Sequence, residues 1–323
     1  MAFAALALAL GAAACGSDDD EGGGSGESSG GDSGGSASAT LIEKDPANAG
    51  KSLTVGSKNF DEQYILGEIY AQALTASGFK VDKKLNLGSE QIAYKALKSG
   101  QIDAYPEYTG TSLTSFFDVK TDDVPKDPDE AYELAKTEYA KEGITALPRT
   151  SFENTFRIAT TKEKQKDLLK GATTLSEVAE LPNASELSIA GFPECRQRTD
   201  CMLGLRDIYK WEPKFVADEG KYEPIDADRS DLGFVFSTDG ELTTGQYAIV
   251  EDDKSLFPPY NISFGVRDEA LKTLGPKGQE VIAAVQEPLT EAAMQELNSR
   301  VSIDKQEPQD VAKQYLQEEG FIK

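Results

Sequence analysis

The sequence predicts an α/β protein with mainly parallel sheets and a second lobe inserted into the first. Three observations predict it. Strand-like and helix-like stretches alternate at short spacing from Ser52 to Tyr105, the pattern of βαβ units. A new strand–helix set begins near Asn154, and the stretch after Pro258-Pro259-Tyr260 is mainly helical. The 323 residues suffice for about two domains with cores of their own.

Each element follows from its local pattern. Ser52–Gly56 is a short apolar strand that stops at a glycine. A helix follows over Asp61–Ser77, with Asn59 or Asp61 as its cap and Ile65, Leu66, Ile69, Ala73 and Leu74 as its buried stripe. Phe79–Leu87 is expected as a strand, Ser89–Ser99 as a helix, and Gln101–Tyr105 as a strand ended by Pro106. Asp127–Glu142 reads as a charged surface helix. Asn154–Thr161 opens the second unit as a strand. Leu187–Gly191 and Leu232–Ser237 supply further strands, and Leu175–Leu181 and Cys201–Tyr209 supply helices. Helices are then expected over Asp268–Leu274, Gly278–Glu287, Thr290–Arg300 and Gln309–Glu319. No solenoid-type repeat is present.

Ligands on such sheets bind at the carboxyl ends of strands. Lys58, in the turn between strand end and helix start, and the segment Tyr105–Thr111 both fall on that edge. An ammonium beside a helix N-terminus makes a site for an anion, although an exposed loop lysine would look the same in sequence.

Composition removes several function classes. A formal net charge of −23 argues against nucleic-acid binding through a basic surface. There is no histidine, which removes Ser-His-Asp and Cys-His catalysis, and three cysteines cannot supply a Cys₄ zinc site. No catalytic residue, cofactor or metal is expected.

Residues 1–14 are small and apolar and end at Cys15, the pattern of a secretory signal too short to span a bilayer. Ala12-Ala13-Ala14-Cys15 resembles a bacterial lipobox, with Ala12 where leucine is usual. The resemblance implies that Cys15 is lipidated and becomes the mature N-terminus. From Gly16 to about Thr40 the chain is Gly, Ser, Asp and Glu with almost no apolar residues, so it cannot offset its ordering entropy. The expected organisation is a lipoprotein signal over 1–15, a disordered tether over 16–50, a first lobe from 52–154 and 258–323, and a second lobe over 155–257.

Five segments then occur in order: GSKNFDEQYILGEIYAQAL, SGQIDAYPEYTGTSL, FSTDG, EDDKSLFPPY and LTEAAMQELNSRV. Together they resemble the substrate-binding proteins of ABC importers for glycine betaine, choline and related osmoprotectants, the quaternary-amine family. The resemblance spans roughly residues 52–320. It implies a type II periplasmic-binding-protein fold, two α/β lobes joined by two crossovers near Asn154 and Pro258, with the ligand cleft between them.

A trimethylammonium group has no N–H to donate. Aromatic faces must hold its charge, each contributing roughly 0.5–2 kcal/mol once water is excluded. The resemblance implies cage rings at Tyr108, Phe156, Phe236 and Tyr260, where family members often carry four tyrosines; Phe156 and Phe236 therefore lack two hydroxyls. Read alone, Phe156 and Phe236 would be core residues of apolar strands. Tyr222 is a further candidate for the wall. For a ligand carboxylate the resemblance implies Lys58, Thr111 and Arg198, with Arg196 as the competing arginine. Asn154 is expected to set backbone geometry or touch the ligand's edge. Lys58 and an arginine together favour a betaine-type zwitterion over choline.

With Cys15 assigned to lipid, Cys195 and Cys201 remain as a pair in an oxidising compartment, and a disulfide between them would hold Arg198 in a small loop. The expected protein is a monomeric, lipid-anchored extracytoplasmic receptor that delivers a quaternary amine to a membrane permease. The rivals are a lyase or dehydratase on the same scaffold, a surface-binding sensory module, and an amino-acid or polyamine receptor.

Overall fold

The structure, a computed structural model, describes residues 40–218 and 220–323. The signal segment with Cys15 and the tether up to residue 39 lie outside the described residues. The folded part begins earlier than Ser52. The Ile42 N–H donates to the Phe321 carbonyl (2.9 Å), the Asp45 N–H donates to the Ser77 carbonyl (3.0 Å), and Asn48 is buried against Ser77. Residues 42–48, in the stretch LIEKDPANAG that was expected as part of the tether, are therefore held against the fold.

Ten strands are described: β1 Ser52–Gly56, β2 Lys80–Lys84, β3 Ala104–Tyr108, β4 Ile144–Ala146, β5 Phe156–Thr161, β6 Ser188–Gly191, β7 Lys214–Ala217, β8 Leu232–Phe236, β9 Tyr247–Val250 and β10 Ile262–Arg267. They form two five-stranded sheets, ordered β2-β1-β3-β10-β4 and β7-β6-β8-β5-β9. In the first, β1 runs parallel to β2 and β3, while β10 runs antiparallel to β3 and β4. The second repeats this plan, with β6 parallel to β7 and β8, and β5 antiparallel to β8 and β9. Each sheet is therefore mainly parallel with one reversed strand. That strand is the one the chain enters on crossing from the other sheet: β5 after β4, and β10 after β9.

The two crossings, residues 147–155 and 251–261, run side by side. The Asn154 N–H donates to the Tyr260 carbonyl, the Tyr260 N–H to Glu153 Oε2, and the Thr155 hydroxyl to the Pro258 carbonyl, each at 3.1 Å. The pairing brings Glu153, Asn154, Thr155, Pro258 and Tyr260 together between the two sheets.

Strands β4, β7, β9 and β10 were not expected from the sequence. The first three have only three or four residues, too few for a period to show. Strand β10 lies in the stretch expected as mainly helical, and Ile262–Val266 are all buried, so no alternation marks it. Strand β3 runs through Pro106 instead of stopping before it. Its pairing with β1 ends at Ala104, so on that side no neighbour needs the N–H that proline lacks.

Helix Asp61–Ala76 buries Ile65, Leu66, Ile69, Ala73 and Leu74 as its spacing predicts. Its cap is Phe60 without a side-chain bond, so neither Asn59 nor Asp61 caps it; the Gln63 side chain accepts the Lys58 N–H instead (3.1 Å). Helix Asp268–Gln286 is interrupted at Gly275 (φ 63°), just before Pro276, where the sequence places a break between two helices. Helix Glu291–Ser302, which follows β10 in the chain, reaches the loop after β8. There the Gln295 amide donates to the Ser237 carbonyl (2.7 Å) and Asn298 Nδ2 to the Thr238 carbonyl (2.7 Å). A Cβ on Gly240 would meet the Ser299 backbone at 2.5–2.6 Å, so glycine is what lets the lobes touch here. Among the described residues no helix is long and apolar enough to cross a membrane.

Candidate functional site

A cavity of about 810 Å³ lies between the two lobes, beside the crossings, and Lys58, Tyr108, Thr111, Asn154, Phe156, Arg198, Phe236 and Tyr260 all line it. The sheet edges explain the convergence. Lys58 lies two residues beyond β1, Tyr108 ends β3, and Phe236 ends β8. Phe156 begins β5 and is the register partner of Phe236, with their rings stacked at 5.0 Å. Tyr260 stands edge-on to Phe156 at 6.3 Å. It fits only because residue 110 is glycine: a Cβ there would meet the Pro259 carbonyl and the Tyr260 ring at 2.8 Å.

Two further rings line the cavity that the sequence reading did not select. Phe192 follows β6 directly and stacks on Phe156 at 6.1 Å; Phe60 stacks on Tyr108 at 6.1 Å. Both sit just beyond a strand's carboxyl end, the rule that had picked out Lys58. Tyr222 does not reach the cavity. Its ring packs 4.5 Å from Tyr247 and its hydroxyl donates to Asp239 (3.2 Å), so it buttresses a wall residue instead.

Three protein cations already lie over rings of the cavity. The Lys58 ammonium lies 4.4 Å from the Tyr108 centroid, Lys221 lies 5.2 Å from Phe236, and the Arg198 guanidinium lies 5.6 and 5.5 Å from Phe156 and Phe192. Each cation is also paired with a carboxylate: Lys58 with Glu107, Lys221 with Asp239, and Arg198 with Asp200.

Lys58 therefore differs from the free ammonium that its place in the turn suggested. It is buried, and its partner Glu107 is buried with it; Glu107 also accepts from the Tyr105 hydroxyl and the Tyr108 N–H, both at 2.8 Å. A desolvated carboxylate on β3 needs a counter-charge, and Lys58 is within reach. Arg198 donates from Nε to Asp200 Oδ1 (2.7 Å), and the Tyr260 hydroxyl donates to Asp200 Oδ2 (3.1 Å). Burial works against the Arg198 charge, but the hydrogen bond to Asp200 and its charge raise the guanidinium's pKa overall. Arg196, the competing arginine, lies over Phe215 at 4.9 Å and does not line the cavity. Cys195 and Cys201 are disulfide-bonded with Cα atoms 5.3 Å apart, and Arg198 and Asp200 sit in the loop they close.

Glu62 is the carboxylate that sequence reasoning missed. It is buried in the cavity wall and accepts from four side chains: the Tyr108 hydroxyl (2.7 Å), Asn154 Nδ2 (3.0 Å), Asn298 Nδ2 (3.0 Å) and the Thr238 hydroxyl. Asn154 thus touches the cavity through its bond to Glu62. A signal existed, because Glu62 precedes Ile65 and Leu66 by helical spacing and so falls on the buried face.

Burial first, then the Glu62 charge, pushes the Tyr108 phenol well above its ordinary pKa; burial and then Asp200 do the same for Tyr260. Both rings therefore stay neutral. The cavity lining carries the acidic residues Asp61, Glu62, Glu90, Asp239 and Glu241 against Lys58, Arg198 and Lys221, a balance that favours a cation.

The family described as the substrate binding domain of ABC-type glycine betaine transport systems matches residues 51–318. A glycine-betaine-binding protein of Pseudomonas aeruginosa is 32% identical over 84% of this chain and 89% of its own. An ergothioneine transport permease/binding protein of Helicobacter pylori is 28% identical over 85% of this chain and 49% of its own. Among solved structures, a glycine betaine/carnitine/choline ABC transporter protein superposes with a TM-score of 0.73 at 24% identity, covering 82% of this chain and 98% of its own. The YehZ protein of Escherichia coli gives 0.69 at 23% identity, covering 83% and 99%. These likenesses show the type II periplasmic-binding fold, and the relatives are transport proteins rather than enzymes. Matched over most of its length, the chain belongs to the family of substrate-binding domains of ABC-type glycine betaine transport systems.

Proposed function

We propose that this protein is an extracytoplasmic solute receptor that holds a quaternary-ammonium zwitterion between its two lobes and hands it to an ABC permease. One observation carries the reading: Phe60, Tyr108, Phe156, Phe192, Phe236 and Tyr260, drawn from both lobes and the second crossing, line one cavity with a net acidic wall. A charge that cannot donate hydrogen bonds finds in such a site the ring faces it requires. The protein's own cations over Tyr108, Phe156 and Phe236 support those faces as places for positive charge.

Tyr108, Phe156, Phe236 and Tyr260 would hold the ammonium. Thr111 and Arg198 would meet a carboxylate, and Lys58 would contribute field more than direct contact while Glu107 holds it. Lipidation at Cys15, the oxidised Cys195–Cys201 pair and a monomeric state belong to the same proposal: the anchor would keep the receptor beside its permease while the tether gives it reach.

The cavity volume favours a second reading within the class. About 810 Å³ falls in the range of roughly 300–1,000 Å³ that holds drug-sized ligands, so betaines longer than glycine betaine would fit. Carnitine and ergothioneine, named for two relatives, are such molecules. The test is a thermal-shift panel of glycine betaine, proline betaine, carnitine, choline, ergothioneine and common amino acids. A ligand at 100 times its Kd stabilises by about 2.7 kcal/mol. Stabilisation by a quaternary amine supports the reading; stabilisation by amino acids alone contradicts it.

A further inference from the structure

We propose that Glu62 is a positioning residue that ties the cage to the closure of the two lobes. The inference rests on the ligand reading above for its meaning but on the hydrogen bonds for its argument. One carboxylate oxygen, Oε1, accepts from the cage ring Tyr108 (2.7 Å) and from Asn154 at the crossing (3.0 Å). The other, Oε2, accepts from Asn298 of helix Glu291–Ser302 (3.0 Å) and from Thr238 in the loop after β8. Asn298 Nδ2 also donates to the Thr238 carbonyl (2.7 Å), so the contact between lobes is doubly made at this point.

An ionised carboxylate has about four acceptor sites, and here four donors occupy them. Glu62 therefore has no lone pair left for a ligand N–H, and no lysine or arginine among the described residues lies within ion-pair reach of it. Its desolvation is offset by the donors and by its place in the first turn of helix Asp61–Ala76, where the helix dipole favours negative charge.

Tyr108, Asn298 and Glu62 belong to the same lobe, whereas Thr238 belongs to the other. Separating the lobes strips Thr238 from Oε2 and leaves the remaining donors in place. The same carboxylate that aims the cage tyrosine thus registers whether the second lobe is docked, and ligand held on Tyr108 is linked to closure through one residue.

Glu62→Gln places an amide against four donors, and Thr238→Val removes the donor from the second lobe while keeping the side chain's shape. Thr238→Val is the safer variant should the Gln replacement impair folding. Binding kinetics of the full chain would be measured with glycine betaine and with carnitine as probes. Loss of a buried bond that forms only on closure raises koff by about tenfold or more and leaves kon within about threefold. Thr238→Ser, which restores the hydroxyl, returns koff to within about twofold of the original. Small-angle scattering without ligand gives a second readout, with Thr238→Val more extended than the parent and Thr238→Ser matching it. Unchanged koff and unchanged scattering in Thr238→Val overturn the proposal, as does failure of Thr238→Ser to rescue. If neither probe binds the parent protein, scattering alone decides the lock: a more extended variant supports it and an unchanged one overturns it.

Discussion

Lys58 and Glu107 form a buried ion pair directly beneath the Tyr108 ring, and neither side chain is more than 5% exposed. Removing one member strands the other charge, which costs about 3–5 kcal/mol, whereas replacing both by neutral groups costs far less. Lys58→Ala is therefore expected to lower stability by that amount in a denaturant titration. Lys58→Met combined with Glu107→Gln should recover most of the loss. In the double variant, betaine binding that falls while choline binding persists would assign the ligand carboxylate to Lys58; equal retention of both would assign it to Arg198 alone.

Tyr108 and Tyr260 differ in what their hydroxyls do but not in what their faces do. Tyr108→Ala and Tyr260→Ala should each weaken quaternary-amine binding by tens of fold, in line with roughly 0.5–2 kcal/mol per face plus lost packing. Tyr260→Phe keeps the face and loses only the bond to Asp200 (3.1 Å), so titration should show a much smaller loss.

The Cys195–Cys201 loop holds the Arg198–Asp200 pair against Phe156 and Tyr260. Replacing both cysteines by serine should cost about 2–3 kcal/mol by the chain-entropy estimate for a short loop. Affinity for carboxylate-bearing ligands should fall more than affinity for choline, because the loop positions the guanidinium. A parallel loss for both would mean that the bridge supports only the fold.

Glu153 gives a pH dependence with a definite sign. Burial raises its pKa above 4.5, outweighing the hydrogen bond from the Tyr260 N–H. Between 4.5 and the raised value the folded chain binds more protons than the unfolded one, so stability from this group is present below 4.5 and is lost as pH rises through the raised value. Glu153→Gln keeps an acceptor for Tyr260 and should stabilise the protein at pH 7. Thermal unfolding from pH 4 to 8 should show the parent losing stability relative to the variant as pH rises.

Much of the frame was legible in the sequence because it is written in local patterns. The stripe Ile65, Leu66, Ile69, Ala73 and Leu74 has helical spacing, and the strand at Ser52–Gly56 ends on a glycine. Lys58 and the Tyr105–Thr111 segment were legible because strand ends carry ligands on such sheets, whereas Phe156, Arg198, Phe236 and Tyr260 were reached only through the family resemblance. Pairing across the fold was not legible. Nothing local tells that Glu107 takes the Lys58 ammonium, or that Glu62 collects donors from Tyr108, Asn154, Thr238 and Asn298, four segments distant in the chain. Strand β10 escaped for a related reason: burial on both faces erases the alternation that marks a half-exposed strand.

Titration calorimetry of the purified protein with glycine betaine, carnitine and unmethylated glycine tests the central claim most directly. Saturable one-to-one binding of a quaternary amine, absent for glycine and lost in Tyr108→Ala, is the predicted result. Saturable binding of glycine with no heat from either methylated compound would contradict it.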